Sequence, residues 1–194
     1  MTAAIILAAG ESSRLGFPKQ TLLFKGKTLL EIAIEAGLKS KCDETIVILG
    51  ANPDKLEQGI KNYNTTVLIN PLWKDGMAGS IKLAIEHIAN HSTIDGVVIL
   101  LCDQPFVNSR LIDSLIYKQQ ETAKPIIACE YDGTVGVPVF FKRRFFEELL
   151  SLQGHEGAKK ILGAYADQVA AIPFEKGAID IDTIADYEQL IKNT

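Results

Sequence analysis

The sequence predicts an α/β fold, a Rossmann-like three-layer α/β/α sandwich built on a mostly parallel, twisted sheet with at least one antiparallel strand. Short apolar runs rich in β-branched residues alternate with amphipathic stretches, which is the order of a parallel sheet covered by helices. The run VVILL at 97–101 has no polar alternation, as expected of a strand buried on both faces. With 194 residues and a hydrophobic share of 47%, the chain can bury one sizeable core, so we expect a single domain over residues 1–194.

Apolar β-prone runs predict the strands, which are expected at residues 3–7, 45–49, 66–69, 96–101, 125–129, 137–141 and, more weakly, 168–172. The segment DGTVGVP at 132–138 has the composition of a turn between two consecutive strands, which predicts one antiparallel pairing. Apolar residues at helical spacing predict helices at 28–40, 77–90, 108–120 and 185–193. Asn108 or Ser109 is expected to cap the third of these helices, and Asp182 or Thr183 the last.

Composition narrows the range of partners and compartments. The net charge of -4 argues against general binding to nucleic acids or membrane surfaces, so an anion site must be built from a few local basic residues. Cys42, Cys102 and Cys129 form neither a paired framework nor a C-x-x-C motif, and we expect them to be reduced and mostly buried. No segment resembles a signal peptide or approaches the ~18 apolar residues of a membrane span, so we expect a cytoplasmic protein.

The loop after the first strand, within ILAAGESSRLGFPK at 6–19, points to phosphate chemistry without matching a standard phosphate motif. Gly10 and Gly16 enclose five residues and Lys19 follows two positions late, so the spacing fits neither a Walker A loop nor a dinucleotide fingerprint. Small residues nevertheless let the backbone approach a ligand closely, while Arg14 offers a planar fork and Lys19 a point charge for phosphate oxygens. Taken alone, a solvated glycine turn is an equally good interpretation.

Several motifs together resemble a known family. LAAGESSRLGFPK resembles the signature L-A-A-G-x-S-x-R-[ML]-G-x-x-K of the nucleotidyltransferase superfamily, which includes sugar-nucleotide pyrophosphorylases and molybdenum cofactor nucleotidyltransferases. The segments DGMAGSIKLAI, LLCDQPFV, GVPVFF, GHEGAKKIL and IDIDTIADYEQL are similar, in order, to the branch that contains molybdenum cofactor cytidylyltransferase. The matches extend over essentially the whole chain. They imply a Mg²⁺-dependent transfer of a nucleotide to a phosphorylated acceptor.

The resemblance implies roles for individual residues. Those it places on the nucleotide are Leu7, Ala8, Ala9, Gly10, Arg14, Lys19, Asn70, Gly76, Ser80 and Asp103. It makes Arg14, Lys19 and Asp103 catalytic, with the two basic side chains on the triphosphate and Asp103 as the principal ligand of Mg²⁺. Asp182 is the candidate second ligand, with Asp180 as a neighbour of the same type. Helix capping remains the alternative for both aspartates.

On the acceptor side, the resemblance implies that Gly136 and Pro138 shape the floor of the second site. Basic residues that could meet an acceptor phosphate are Arg143, Arg144, Lys159 and Lys160, although solvated helix charges are the favoured interpretation. His155 stands where relatives often carry an acidic residue, which leaves the role of that carboxylate open; Glu156 is a candidate to replace it. His87 and His91 are four residues apart, but Ile88 breaks the H-E-x-x-H pattern, and we expect exposed helix histidines.

The favoured function is transfer of CMP from CTP to molybdopterin cofactor, since LAAG and CDQP favour the cytidylyltransferase branch. Guanylyl transfer to molybdopterin, or transfer to a sugar phosphate or methylerythritol phosphate, is the alternative within the same chemistry. A different class is a non-catalytic accessory protein that hands molybdenum cofactor to an apo-enzyme. In either case a transient contact with a molybdoenzyme is compatible with the sequence.

Overall fold

The computed structural model describes residues 1–89 and 93–192. Within these residues one seven-stranded sheet has the order β5-β4-β1-β6-β8-β7-β9. Its strands are β1 Thr2–Ala8, β4 Glu44–Leu49, β5 Thr66–Ile69, β6 Gly96–Leu101, β7 Ile126–Tyr131, β8 Thr134–Lys142 and β9 Val169–Pro173. A small hairpin, β2 Leu23–Phe24 and β3 Lys27–Thr28, stands apart from this sheet.

The sheet is parallel except for β8. The β5-β4-β1-β6 pairs are parallel, β8 runs antiparallel to both β6 and β7, and β9 is parallel to β7. The turn predicted at 132–138 is therefore confirmed as the β7–β8 hairpin, although β8 begins at Thr134 rather than at residue 137. The predicted α/β fold class with at least one antiparallel strand is confirmed.

Helices cover both faces of the sheet, which makes the three layers. They are α1 Leu29–Leu38, α2 Pro53–Ile60, α3 Met77–Ala89, α4 Ser109–Thr122, α5 Phe146–Ser151, α6 Ala158–Ala164 and α7 Ile184–Lys192. The sequence patterns did not predict α2, α5 or α6. The latter two are short, and α2 is a mostly polar stretch of eight residues that buries only Leu56 and Ile60, so it contains too few apolar residues to indicate a helix.

The strand β1 shows how the two cores form. Ile5 and Leu7 point into a cluster with α3, α5 and α6, whereas Ala4 and Ile6 point into a cluster with α1, α2 and α4. Since successive side chains of a strand face opposite sides, a strand buried on both faces must be apolar throughout. Truncation of a residue such as Ile5, which is fully buried, to alanine would cost about 2–5 kcal/mol.

Helix ends agree with the capping chemistry of the sequence. Thr28 and Glu31 form a capping box at α1, and the Asn108 side chain accepts from the Leu111 amide at α4, as predicted. At α7 the capping residue is Thr183, whose hydroxyl accepts from the Asp186 amide, while Asp186 accepts from the Thr183 amide. Asp182 therefore does not cap α7. Its carboxylate points elsewhere, into the site described next.

Candidate nucleotidyl-transfer site

The loop after β1 is held in place by its own polar side chains. The Lys19 amide donates to Ser12 Oγ at 3.0 Å, which closes the loop just before the short 3₁₀ helix Lys19–Thr21. Gln20 is 1% exposed and donates through Nε2 to the carbonyls of Ala8 at 2.8 Å and Gly10 at 2.9 Å. Because both N–H groups of one buried amide are used on this loop, its backbone conformation is fixed at two points.

A cluster of opposite charges lies beside this loop. Lys19 Nζ donates to Asp103 Oδ2 at 2.6 Å and to Asp182 Oδ1 at 2.8 Å, and Arg14 Nη2 donates to Asp182 Oδ2 at 2.7 Å. Asp103 follows β6, and Asp182 lies between β9 and α7. The fold thus brings together four of the residues to which the sequence assigned phosphate or metal binding.

Charge pairing dominates the protonation of this cluster. Burial lowers the pKa of Lys19, but the charge and hydrogen bond of Asp103, with a further bond to Asp182, raise it more, so the net pKa lies above its ordinary value. Burial raises the pKa of Asp182, but Lys19 and Arg14 lower it to below its ordinary range. Burial and then the negative charges of Asp103 and Asp182 raise the pKa of Asp180. Lys19 is therefore a cation at neutral pH, and Asp182 an anion.

The donor set of this cluster suits Mg²⁺. That ion is usually held by one or two carboxylates together with the oxygens of a bound phosphate, rather than by a full protein cage. Asp103 and Asp182 already share one cation, Lys19, and Asp103 Oδ1 is buried and accepts no hydrogen bond. Among the residues that the structure describes, no group of three or more His, Cys, Asp or Glu side chains forms a preassembled metal cage.

A cleft of about 630 Å³ opens between the β1 loop and the start of α3, which is large enough for a nucleotide. Most nucleotide-binding candidates from the sequence line it: Leu7, Ala8, Ala9, Gly10, Arg14, Lys19, Gly76, Ser80 and Asp103. A Cβ placed on Gly10 would meet no heavy atom within 4 Å, so the glycine leaves open space there. Trp73, the only tryptophan of the chain, also lines the cleft.

Asn70 is a nucleotide-binding candidate that the structure places behind the cleft wall. It is 4% exposed, donates to Ser80 Oγ at 3.0 Å and accepts from the Leu72 amide at 3.0 Å. Its amide therefore orients Ser80, the fourth residue of α3, and the turn that leads to Trp73. In this arrangement Asn70 shapes the wall, while Ser80 faces the cleft.

Gly76 joins this wall to the loop before α6. Its φ is 113°, and an added Cβ would lie 2.2 Å from the carbonyl oxygen of Gly154, so no side chain fits. The Ala78 amide also donates to the Gly154 carbonyl at 3.1 Å. His155 follows directly and borders the cleft. Glu156, the candidate replacement for an acidic residue, is occupied instead by the Gln153 amide and Lys160 Nζ.

A second, mostly apolar pocket of about 280 Å³ adjoins the cleft through shared walls at Leu7, Met77, Leu101 and His155. Gly136 lines this pocket, whereas Pro138, which follows a cis peptide bond, is buried and does not line it. A Cβ on Gly136 would lie 2.3 Å from Tyr131 Oη, so this glycine gives the tyrosine its place in the wall.

Of the four basic residues considered for the acceptor phosphate, Lys159 alone borders the described part of this pocket. Arg143 donates to the carbonyls of Ile94 and Ala89, Arg144 to Gln168, and Lys160 to Glu156. The contacts of Arg144 and Lys160 agree with the interpretation as solvated charges, whereas the partly buried Arg143 bonds two backbone carbonyls and differs from it.

The remaining histidine and cysteine predictions concern residues with no assigned role, of which Cys102 lines the cleft beside Asp103. His87 is on α3 as predicted but is partly buried rather than exposed, with Nε2 at 3.5 Å from Glu44 Oε1; His91 lies outside the described residues. The three cysteines are free thiols; Cys102 and Cys129 are buried and Cys42 is partly buried.

Four residues that shape the site were missed by the sequence analysis: Gln20, Trp73, Gln104 and Tyr131. A lone tryptophan in the loop that follows a predicted strand, four residues after its end, is a signal that could have indicated Trp73. Gln104 lies inside the quoted CDQP motif, but a glutamine gives no sign by itself of which carbonyls it will reach. The same holds for Gln20, which directly follows Lys19 of the first motif.

The fold and the cleft together define a nucleotide-binding α/β protein, with a glycine loop, two basic side chains and two carboxylates gathered at the carboxyl ends of parallel strands. The chain belongs to the MobA-like NTP transferase domain family, whose pattern matches residues 4–169. The predicted membership in the nucleotidyltransferase superfamily is confirmed. Within residues 1–89 and 93–192, no helix combines the length and the apolar character that crossing a membrane requires.

Known proteins resemble this chain over most of its length. Purine catabolism protein PucB of Bacillus subtilis is 25% identical over 197 residues, spanning 96% of this chain and 94% of that protein. The probable molybdenum cofactor guanylyltransferase of Natranaerobius thermophilus is 32% identical over 140 residues, spanning 69% of this chain and 64% of that protein. The crystal structure of Rv0371c from Mycobacterium tuberculosis has a TM-score of 0.84 at 28% identity and covers 100% of both chains; that protein has also been crystallised with manganese.

Proposed function

We propose that this chain is a Mg²⁺-dependent nucleotidyltransferase that moves CMP from CTP to molybdopterin cofactor and releases pyrophosphate. The observation that carries the proposal is the position of Lys19, between Asp103 and Asp182 at the edge of a nucleotide-sized cleft. Family membership supports the reaction class. The choice of CTP and molybdopterin is supported by the resemblance of LAAG and CDQP to the cytidylyltransferase branch.

In the proposed reaction an ionised phosphate oxygen of the acceptor attacks the α-phosphorus of the nucleotide. The bond from that phosphorus to the bridging oxygen breaks, and pyrophosphate leaves with the electron pair. A phosphate nucleophile is already deprotonated at neutral pH, so positioning and charge neutralisation matter more than a general base. This fits a site whose charged groups are two cations and several carboxylates, with no histidine in the charge cluster.

The basic residues change partners when the triphosphate binds. Lys19 leaves the carboxylates and neutralises the charge that grows on the departing pyrophosphate, while Arg14, whose side chain is 67% exposed, turns to the unreacting phosphates. Asp103 and Asp182 are the residues that would hold Mg²⁺. Bound Mg²⁺ would supply charge neutralisation on the phosphate oxygens.

The adjoining apolar pocket is the proposed seat of the acceptor body. Its walls include Tyr131, Gly136 and Leu101, and its mostly apolar surface suits a flat ring system better than a polyol. This favours molybdopterin over a sugar phosphate or methylerythritol phosphate. The intact set of Arg14, Lys19 and Asp103 in turn favours catalysis over a purely cofactor-carrying role.

Guanylyl transfer is the second candidate, because a relative 32% identical to this chain is named a probable molybdenum cofactor guanylyltransferase. One experiment separates these readings. Pyrophosphate release is measured with each of the four nucleoside triphosphates and Mg²⁺, with and without molybdopterin cofactor, and nucleotide binding is followed by the fluorescence of Trp73. We expect release with CTP and molybdopterin only. Release with GTP would assign guanylyl transfer, whereas a Trp73 fluorescence change on addition of molybdopterin cofactor, without pyrophosphate release with any nucleotide, would assign the accessory role.

A further inference from the structure

Gln104 is a buried side chain beside the carboxylate cluster that bonds two distant backbone carbonyls. It directly follows Asp103, is 5% exposed, and donates through Nε2 to the Val137 carbonyl at 3.2 Å and the Gly177 carbonyl at 3.0 Å. These two carbonyls belong to segments 33 and 73 residues away along the chain. One buried amide therefore adds a side-chain link among three segments that are otherwise joined by sheet pairing and by single backbone hydrogen bonds.

The first linked segment carries Asp180 and Asp182. After β9 the chain crosses the strand ends as a single 3₁₀ turn, Glu175–Ala178, before α7 begins. It is tied down by the Phe174 amide on the Glu130 carbonyl and the Ile181 amide on the Asp103 carbonyl. Gln104 supplies a side-chain contact between these two ties, at Gly177. The position of the Asp182 carboxylate relative to Lys19 Nζ is therefore set by this short, irregular segment.

The second linked segment is the acceptor side of the site. The Val137 carbonyl accepts from Gln104 and also from Tyr131 Oη at 3.0 Å. The Tyr131 ring is flanked by Gly136 and by Gly177, at each of which an added Cβ would lie within 2.4 Å of tyrosine atoms. A shift of Gly177 towards Tyr131 would therefore press on the same ring that lines the apolar pocket.

We propose that Gln104 is a positioning residue that couples the acceptor pocket to the metal carboxylates, so that both are aligned by one side chain. The proposal rests on the nucleotidyl transfer proposed above. Gln20 is its counterpart on the nucleotide side, because it too is buried and donates to two backbone carbonyls, both in the Gly10 loop. Gln20 thus holds the loop on the nucleotide side of the site, and Gln104 holds the segments on the acceptor and metal side.

The test replaces each glutamine by methionine, which keeps length and volume but removes both donors. Gln104→Met should lower kcat about tenfold or more and raise the Mg²⁺ concentration for half-maximal rate by a similar factor, with the KM for CTP nearly unchanged. Gln20→Met should do the reverse, raising the KM for CTP with a smaller effect on Mg²⁺ dependence. Gln120→Met, at an exposed position of α4, is the matched control and should match the wild type.

A readout independent of turnover is hydrogen–deuterium exchange of the segment 174–182. Exchange there should rise in Gln104→Met and stay at the wild-type level in Gln20→Met. Gln104→Asn, one methylene shorter, keeps an amide and should lie between wild type and Gln104→Met; it serves if the methionine variant does not fold.

Equal kinetic losses in both methionine variants, or unchanged exchange at 174–182 in a folded Gln104 variant, would overturn the proposal. If the wild type releases no pyrophosphate with any nucleotide, the proposed function fails while the exchange result still decides the role of Gln104.

Discussion

The ammonium of Lys19 lies 2.6 Å from the carboxylate of Asp103, although 84 residues separate them in the chain. The predicted phosphate-binding cation and the predicted metal ligand are thus partners in the same ion pair. Each charge of this little-exposed pair offsets part of the desolvation of the other, and after removal of Asp103 the ammonium would keep Asp182 as a partner. In the structure, the two carboxylates hold the ammonium of Lys19 at the edge of the cleft, where we propose that it meets the triphosphate.

Replacement of Asp103 by asparagine should abolish turnover while leaving the fold intact. The change keeps the size of the side chain but removes the charge that holds Mg²⁺, and we expect a loss of about 10²-fold or more in kcat. Steady-state pyrophosphate release measures the rate, and circular dichroism reports the fold. Near-normal turnover at saturating Mg²⁺ would refute the assignment.

Substitution of Lys19 and of Arg14 should change different kinetic parameters. Lys19→Ala should lower kcat by about 10²-fold, because charge on the bridging oxygen grows only in the transition state. Arg14→Ala should mainly raise the KM for the nucleotide, since contacts to unreacting phosphates are made equally in the ground state. Lys19→Arg should restore only part of the rate because a planar fork differs from an ammonium. Wild-type kinetics in Lys19→Ala would show that the loop is a structural turn.

Asp182 and Thr183 are neighbours with different predicted roles, so they form a matched pair. Asp182→Asn should raise the Mg²⁺ requirement and lower the rate. Thr183→Ala removes the cap of α7 and should cost about 1 kcal/mol of unfolding free energy at an unchanged Mg²⁺ requirement. Mg²⁺ titrations and thermal unfolding of both variants provide the comparison. A stability loss alone in Asp182→Asn would remove the second-ligand assignment.

In the metal-free protein, Asp180 and Asp182 should respond to pH in opposite directions. The pKa of Asp182 is lowered, so its ionised form stabilises the fold above the ordinary pKa, and this contribution is lost as the pH falls through the lowered folded-state value. The pKa of Asp180 is raised, so its ionised form costs stability at neutral pH, and the cost disappears as the pH falls through the raised value.

Thermal unfolding in EDTA checks this pair of signs. At pH 7, Asp180→Asn should raise the unfolding temperature and Asp182→Asn should lower it, and both differences should shrink towards about pH 3. Shifts of the same sign at pH 7 would contradict the arrangement of charges around Lys19.

The three thiols should be nearly inert in the folded protein. Burial raises the pKa of Cys42 to about 11 and those of Cys102 and Cys129 to about 12, so little reactive thiolate is present at pH 8. Labelling with a chromogenic disulfide should be slow in buffer, and all three thiols should react in guanidinium chloride. Free cysteine is the control for reagent quality. Rapid labelling of one thiol in the native state would disprove the burial.

The sequence predicted the layers of the fold because strands buried on both faces leave unbroken apolar runs, as in β1 and β6. It did not predict α2, whose sequence PDKLEQGI buries few side chains, nor the hairpin of β2 and β3, which is two residues wide on each side. The spacing of apolar residues indicates only where a segment is buried. Elements that are short or largely exposed contain too few apolar residues for such a prediction.

The residues of the candidate site were selected from the resemblance, and the structure gathers most of them, yet the contacts themselves were not predictable. Lys19 and Asp182 are 163 residues apart, and nothing local in either segment indicates that their side chains meet. Gln20 and Gln104 illustrate the same limit, since their chemistry equals that of the surface residue Gln120. Only the topology decides which glutamine finds buried carbonyls.

Gly10 and Gly76 face the same cleft, but the chain and its ligand impose different requirements on them. A methyl group at Gly76 collides with the Gly154 backbone, whereas one at Gly10 enters open space. In a library of random variants, selection for folded protein alone would already discard substitutions at position 76. Alanine at position 10 would pass that selection and vanish only when the library is selected for growth that depends on the reaction. Positions whose variants survive the selection for folding but are lost in the selection for growth would identify, residue by residue, the surface that the substrate occupies.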